Sequence, residues 1–282
     1  MTTTTVYSPH QLAEAYQLLD HHGATIKVLA GGTDLMVLYN SGTPQPALVL
    51  DIWRLDELRE ISQHDTYLKL GALCTYTQLI NDQRVRLYAP ALIDAARTIG
   101  AIQIQNRGTL GGNIVNGSPA GDSLPVLAAF DAEIEIGAAH GIRRVPFNQF
   151  YTGYRKTVLA PNELVLNILL PKQQEGELTR FYKVGTRAAQ AISKVVMAVR
   201  ARIDLDKTIN SIAIALGSIA PTVIRARATE AAITGNIINA ELIETARQQI
   251  IAEISPISDI RSTAHYRRVV TGNLIAKFLR EA

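Results

Sequence analysis

Two short glycine-rich segments carry residue types that allow a ligand to approach the main chain. The first glycine segment is VLAGGTDL at residues 28–35, and the second glycine segment is TLGGN at residues 109–113. Glycine has no Cβ, so its backbone N–H groups can be reached closely. Such groups near a helix start form a nest for an anion such as phosphate. Because the segments lie far apart in the chain, together they predict a pyrophosphate held from two sides.

Known nucleotide fingerprints do not account for these segments. Neither contains G-x-G-x-x-G or G-x-x-x-x-G-K-[ST], which excludes a Rossmann or Walker assignment. The alternative for AGGT alone is a tight turn between a strand and a helix, with no ligand.

The carboxylate of Asp122 follows the second segment, in SPAGDS. We expect a helix over residues 123–130, and Asp122 stands where an N-cap residue would. A carboxylate there can also accept hydrogen bonds from ribose or ribityl hydroxyls. Both interpretations of Asp122, as a plain helix cap and as a cofactor ligand, stay open at this point.

Other chemistry is excluded by what the chain contains. Cys74 is the only cysteine, so this chain alone cannot build a disulfide framework, an iron–sulfur cluster or a multi-thiolate zinc site. The histidines show no metal-ligand spacing, and we identify no catalytic acid, base or nucleophile. We therefore expect neither a metal site nor a catalytic side chain.

The charge and hydropathy patterns narrow the class of protein further. The net charge is only +3 and the basic residues are scattered, which argues against a nucleic-acid groove. No apolar run approaches the ~20 residues of a membrane span. The N-terminal MTTTTVYSPH lacks the features of a secretory signal, so we expect a cytoplasmic protein.

The elements that must position the glycine segments are well marked. Ser8 and Gln11 form a capping-box pattern that predicts a helix ending near Gly23. Strands are expected at 25–29, 47–52, 67–72 and 164–170, with helices at 76–81 and 91–99 and a hairpin turning at 139–141. The polar stretch 171–178 marks a boundary. Beyond it we expect strands at 180–184, 195–203 and 211–216 and a last helix at 263–279. The start of this order has α/β character, and the strands followed by helices beyond the boundary indicate a small second domain of the α+β class.

A family resemblance rests on these same residues. LAGGTDL followed by QNRGTLGGNIVNGSPAGDSLPVLAAFDAEIEI, with FYKVGTRAAQAISKVVMAV and YRRVVTGNLI further on, covers nearly the whole chain. The sequence resembles the FAD-binding medium subunits of the xanthine dehydrogenase and carbon monoxide dehydrogenase family of molybdenum hydroxylases.

The resemblance implies a fold and a domain division. It implies a two-lobed FAD-binding domain of the vanillyl-alcohol-oxidase (PCMH) type over residues 1–173, with lobes at about 1–55 and 56–173. A small α+β domain of the carbon monoxide dehydrogenase flavoprotein C-terminal type would follow over residues 174–282, with an antiparallel sheet and helices.

The resemblance also implies the residues that bind FAD, which would be non-covalent. By position these are Val28, Leu29, Ala30, Gly31, Gly32, Thr33, Asp34, Leu35, Thr109, Leu110, Gly111, Gly112, Asn113, Asp122, Leu166, Lys183 and Ile192. Ile192 matches a position beside the flavin ring that is tyrosine in some relatives, and an aliphatic side chain there favours an open ring face. The alternatives are core positions for Leu166 and Ile192, and a solvated surface charge for Lys183.

By the same resemblance, the chain is an electron-transfer subunit. Electrons would come from [2Fe–2S] clusters on a small subunit beside a large molybdopterin subunit, in a dimer of heterotrimers, and leave to an acceptor such as NAD or oxygen. Purines, nicotinate, other N-heterocycles, aldehydes and carbon monoxide stay open as substrates. The alternatives are a stand-alone flavin oxidase or reductase with this cofactor fold, and a scaffold that has lost FAD. Both intact glycine segments argue against the scaffold.

Overall fold

The N-terminal layer positions the first glycine segment. The computed structural model describes residues 3–187 and 190–282. This layer comprises β1 (Thr5–Tyr7), α1 (Leu12–His22), β2 (Ile26–Leu29), α2 (Leu35–Asn40) and β3 (Leu48–Asp51). The strands form a parallel sheet in the order β1–β3–β2. The segments that follow β2 and β3 therefore leave the sheet at the same edge.

The second layer carries the second glycine segment on helices packed against an antiparallel sheet. Its elements are β4 (Ile61–Gln63), β5 (Tyr67–Gly71), α3 (Tyr76–Asn81), α4 (Gln83–Tyr88), α5 (Pro90–Arg97), α6 (Ile102–Arg107), α7 (Leu110–Asn116), α8 (Leu124–Ala129), β6 (Glu133–Ala138), β7 (Gly141–Pro146), β8 (Tyr151–Gly153), β9 (Lys156–Thr157) and β10 (Leu164–Pro171). The sheet order is β4–β5–β10–β6–β7, and β8 pairs only with β9 among the described strands.

The C-terminal part is a four-stranded antiparallel sheet covered by helices. Its elements are β11 (Glu177–Val184), β12 (Val195–Ile203), β13 (Ile209–Gly217), β14 (Ile224–Arg225), α9 (Arg227–Ile233), α10 (Ala240–Glu253) and α11 (Ala264–Glu281). The strands lie in sequence order. Together with the first two layers, this arrangement confirms the α+β class.

Alternation along β12 explains how the C-terminal sheet reaches the second layer. Val195, Met197 and Val199 pack with α10 and α11, while Ala198 on the opposite face joins the core of the second layer. Successive side chains of a strand point to opposite faces, so one sheet serves two cores. The small alanine lets α8 lie close to this sheet.

The predicted strands at 164–170 and 195–203, the hairpin and the last helix are confirmed, but the first helix cap is wrong. The helix begins at Leu12, and its N-cap residue Gln11 makes no side-chain capping bond. Glu57, from a distant segment, accepts the hydrogen bond of the Leu12 amide at 3.0 Å. A tertiary contact therefore takes the place of the expected box at Ser8.

Candidate functional site

The first glycine segment has backbone N–H groups that form no hydrogen bond within the described part of the protein. Residues 30–34 join the end of β2 to the start of α2. Gly32 has a φ of +76°, a left-handed conformation that favours glycine. Among residues 3–187 and 190–282, no protein acceptor takes the amide N–H groups of residues 30–34. These groups are available to a ligand at the carboxyl edge of the parallel strands.

The first glycine segment contacts residues that flank the second glycine segment on both sides. A Cβ on Gly31 would stand 1.8 Å from the carbonyl oxygen of Arg107, so only glycine permits this approach. Beside it, the Oγ1 atom of Thr33 is 3.4 Å from where a Cβ of Gly108 would be. The side chain of Asn116 donates to Asp34 across the same junction. The structure thus places the first glycine segment against the residues that immediately precede and follow the second.

The second glycine segment differs from the expected nest. Thr109 caps α7, and its hydroxyl accepts the hydrogen bond of the Gly112 amide at 3.1 Å. The Gly111 amide donates to Ala72 at 2.8 Å, and the Asn113 amide donates to the Thr109 carbonyl at 3.0 Å. These three donors are already used within the protein. What the segment offers outward is the exposed backbone of Gly112.

Asp122 belongs to a buried network rather than to a helix cap. Helix α8 has Ser123 at its N-cap without a side-chain capping bond, so the cap prediction for Asp122 is wrong. The Lys183 ammonium instead donates to the Asp122 carboxylate at 2.6 Å, and the Ser193 hydroxyl donates to its other oxygen. Lys183 also donates to the Thr98 carbonyl at 2.9 Å. The network therefore joins β11 and the start of β12 to the second layer.

Burial governs the electrostatics of this network. Asp122 is 7% exposed, and the Lys183 side chain is 9% exposed. Burial raises the pKa of the Asp122 carboxyl, while the charge and hydrogen bonds of Lys183 and the hydroxyl of Ser193 oppose that rise. Lys183 is therefore no solvated surface charge. It supplies the opposite charge that a buried carboxylate requires.

Leu166 and Ile192 occupy contrasting positions. Leu166 is 3% exposed and packs in the core against Gly137. Its carbonyl accepts the Ala72 amide at 2.9 Å, and Ala72 in turn accepts the amide of Gly111. Ile192 is 55% exposed, next to the buried Ser193. Leu166 thus supports the second glycine segment through its backbone, whereas Ile192 is open to an incoming group.

Trp53 lies beside the first glycine segment, although the sequence alone assigned it no functional role. The guanidinium carbons of Arg107 and Arg59 lie 3.8 and 4.1 Å from the ring centroid of Trp53. Trp53 follows β3, so it lies at the same sheet edge as the first glycine segment. Ser193 and Thr98 were missed as well. No periodicity or motif links residues so far apart in the chain.

Comparison with known proteins identifies the family of this chain. Residues 2–173 match the family described as the FAD binding domain in molybdopterin dehydrogenase. Residues 180–282 match the CO dehydrogenase flavoprotein C-terminal domain. The chain belongs to the FAD-binding subunits of the molybdopterin dehydrogenases. It is therefore an oxidoreductase subunit whose cofactor is FAD, as the sequence resemblance implied.

Individual FAD-binding subunits agree over nearly the full chain. The xanthine dehydrogenase FAD-binding subunit of Escherichia coli O157:H7 is 32% identical over 273 residues, covering 96% of this chain and 93% of that protein. The glyceraldehyde dehydrogenase medium chain of Sulfolobus acidocaldarius is 32% identical over 271 residues, covering 96% and 95%. A structure of carbon monoxide dehydrogenase from Hydrogenophaga pseudoflava superposes with a TM-score of 0.93 at 31% identity, covering 97% and 95%.

The residues present fit FAD. A diphosphate requires several hydrogen-bond donors, and the first glycine segment has uncommitted amides. A Cβ on Gly32 would make only ordinary contact with Met36 at 3.5 Å, so the φ of +76° rather than close packing favours glycine there. In the second glycine segment, the backbone of Gly112 is exposed. This arrangement suits a cofactor whose diphosphate approaches the main chain.

Metal-binding clusters and membrane-spanning helices are both absent from the residues that the structure describes. In this part of the chain, no group of three or more His, Cys, Asp or Glu side chains is arranged to hold a metal ion. Over the same residues, no helix has both the length and the apolar character needed to cross a membrane.

Proposed function

We propose that the chain is the electron-transfer subunit of a multi-subunit molybdenum hydroxylase. It would take electrons from [2Fe–2S] clusters on a partner and deliver them, through its FAD, to a final acceptor such as NAD or oxygen. The observation that carries this proposal is the first glycine segment, whose amides are free beside the contact of Gly31 with Arg107.

The binding residues proposed for FAD divide by role. When bound, FAD supplies the capacity to hold two electrons and exchange them singly. The amides of residues 30–34 would donate to its diphosphate. We retain as the proposed set Val28, Leu29, Ala30, Gly31, Gly32, Thr33, Asp34, Leu35, Thr109, Leu110, Gly111, Gly112, Asn113, Asp122, Leu166, Lys183 and Ile192.

Within that set, three residues act beside the flavin rather than on the diphosphate. Both oxygens of Asp122 are held by Lys183 and Ser193, so we assign Asp122 and Lys183 to fixing the segment around Ile192. The exposed aliphatic side chain of Ile192 would leave a ring face reachable. No side chain here is assigned as a catalytic acid, base or nucleophile.

The partners and domain limits complete the proposal. A large molybdopterin subunit and a small [2Fe–2S] subunit would join this chain in a cytoplasmic dimer of heterotrimers. The FAD-binding domain would span residues 1–173, with lobes at about 1–55 and 56–173, and the second domain residues 174–282. Relatives named for xanthine and for glyceraldehyde are both 32% identical to this chain. That equality supports a substrate pocket on the large subunit.

A flavin titration tests the cofactor site. The chain, stripped of flavin, is titrated with FAD, FMN and riboflavin while the visible absorption bands are recorded. We expect FAD to bind and riboflavin to bind far more weakly, because riboflavin has no phosphate for the first glycine segment. Equal affinity for all three flavins would count against the diphosphate site.

Isolation from the native host tests the assembly. An affinity tag on this chain is expected to retain a large molybdenum-containing chain and a small iron–sulfur chain. Turnover of a substrate by the purified single chain, with no partner retained, would favour the stand-alone flavin enzyme instead.

A further inference from the structure

Arg267 is a buried cation on α11, far in sequence from every residue of the site. It is 3% exposed. Its Nη1 atom donates to the Lys194 carbonyl at 3.0 Å and to the Ser218 carbonyl at 2.6 Å, and its Nη2 atom donates to Asp259 at 2.8 Å. One guanidinium therefore holds the start of β12 and the end of β13 together.

Each of these carbonyls lies next to a contact of the Asp122 network. Lys194 directly follows Ser193, whose hydroxyl donates to Asp122. On the other side, the amide of Ser218 donates to the Pro119 carbonyl at 2.8 Å, in the turn that leads to Asp122. Arg267 thus supports Asp122 from two directions.

The backbone at Ser218 shows why a firm hold is needed. Ser218 has a φ of +65°, a left-handed conformation that is unfavourable for a non-glycine residue. Such a conformation persists only where surrounding contacts determine it. Both main-chain groups of Ser218 are used, the carbonyl by Arg267 and the amide by Pro119.

Burying the charged guanidinium of Arg267 also costs desolvation free energy. An apolar side chain of similar volume often stabilises a core as well as an ion pair does. The planar guanidinium provides instead a rigid fork that bonds three oxygens at once, which a lysine ammonium does not reproduce. Asp259, its acidic partner, is in turn held by the amides of Arg261 and Ser262 at 2.9 and 3.0 Å.

We propose that Arg267 is a positioning residue for the flavin site. By holding Lys194 and Ser218, it fixes the segment 192–194 and the turn 118–122, and thereby the geometry of the Asp122–Lys183–Ser193 network. The proposal rests on the proposed function, because the network matters for flavin only if FAD binds beside it.

The test combines one substitution with two controls. Arg267→Lys keeps the charge and removes the fork, and Arg268→Lys makes the same change one position along. Ile275→Ala weakens the fully buried C-terminal core without touching these hydrogen bonds. In the full chain, three quantities are measured: the dissociation constant for FAD, the visible circular dichroism of the bound flavin, and amide hydrogen exchange without flavin.

We expect Arg267→Lys to weaken FAD binding by about tenfold, the order of one lost charged hydrogen bond. Amide exchange should accelerate in both segments 118–122 and 192–196, and the flavin dichroism should change. Ile275→Ala should lower the unfolding temperature without these effects, and Arg268→Lys should resemble the wild type. If Arg267→Lys does not fold, Asp259→Ala removes one of the three partners and should shift all three readouts less, in the same direction.

The outcomes separate this proposal from the proposed function. Normal FAD affinity in Arg267→Lys, or weakened affinity with unchanged exchange in both segments, would overturn the role of Arg267 and leave the flavin site standing. Failure of the wild-type chain to bind FAD would overturn the proposed function. The exchange comparison in the flavin-free chain would then still decide whether Arg267 fixes the two segments.

Discussion

The first glycine segment lies against residues that flank the second, yet the main chains of the two segments are in opposite states. The first, at the edge of a parallel sheet, has amides without protein acceptors. The second has committed its amides to Ala72 and Thr109. A Cβ on Gly111 would stand 2.6 Å from the Cβ of Ala72, so that glycine serves close packing. The same Gly-Gly pair therefore presents free hydrogen-bond donors in the first segment and packs closely within the protein in the second.

The largest expected effect is a loss of folding stability when the Asp122 network beside the second glycine segment is broken. Ser123, next to Asp122, donates to Asn113 of the second segment at 2.8 Å. Asp122→Asn leaves the Lys183 ammonium buried without its counter-charge, and breaking a buried pair in this way costs about 3–5 kcal/mol. Urea unfolding measures the loss. The double variant Asp122→Asn/Lys183→Met should recover part of it, and a loss below about 1 kcal/mol would show that the network does not brace the segment.

The first glycine segment should lose FAD affinity beyond any effect of backbone strain. Gly32→Val forces a branched side chain into a φ of +76° and obstructs the free amides. Loss of two hydrogen bonds to a charged diphosphate predicts FAD binding weaker by roughly 100-fold, measured by flavin titration. Gly176→Val is the matched control, since Gly176 has a φ of +78° and open space around it. Equal affinity in both variants would remove the distinction between the segments.

The pH dependence of stability tests the burial of Cys74, which contacts the second glycine segment. Its carbonyl accepts the Leu110 amide at 3.0 Å, and burial raises the pKa of its thiol from 9.0 to about 12. The folded state therefore keeps the proton that the unfolded chain loses. This contribution to stability is present below pH 9 and falls by about 1 kcal/mol at pH 10. Comparing urea unfolding of wild type and Cys74→Ala at pH 8 and 10 isolates it. The same pH change in both proteins would contradict the prediction.

The smallest effect is expected at the cap of α7. Thr109→Ala removes the hydroxyl that binds the Gly112 amide and should cost about 1 kcal/mol of unfolding free energy. Thr263→Ala, at the cap of α11, is the control of equal chemistry outside the site. FAD affinity should fall far less than in Gly32→Val. A loss as large as that of Gly32→Val would mean that both segments bind the diphosphate equally.

Local patterns predicted much of the fold. The strands β10 and β12 and the helix α11 follow from hydrophobic runs, punctuation and capping residues that lie within each element. The place of the first glycine segment could also be predicted, because a glycine pair directly after an apolar strand is visible in the sequence. These signals are local, so they survive without knowledge of the tertiary structure.

The partners of those elements could not be predicted. Lys183 and Ser193 lie 61 and 71 residues from Asp122, and only the packing of the C-terminal sheet on α8 brings them together. Whether a glycine amide is free or satisfied depends likewise on which carbonyl stands opposite, as Ala72 does for Gly111. The first helix cap failed for the same reason, since Glu57 supplies its acceptor from another part of the chain.

Trp53, held beneath two guanidinium groups at the edge of the first glycine segment, is the only tryptophan of the chain. Indole emits light in the near ultraviolet, where flavins absorb. A flavin seated at this edge would therefore quench the emission of the protein by energy transfer. The emission of Trp53 would therefore report the fraction of chains that hold flavin. This fraction can be measured by fluorescence for each variant described above, without an attached dye.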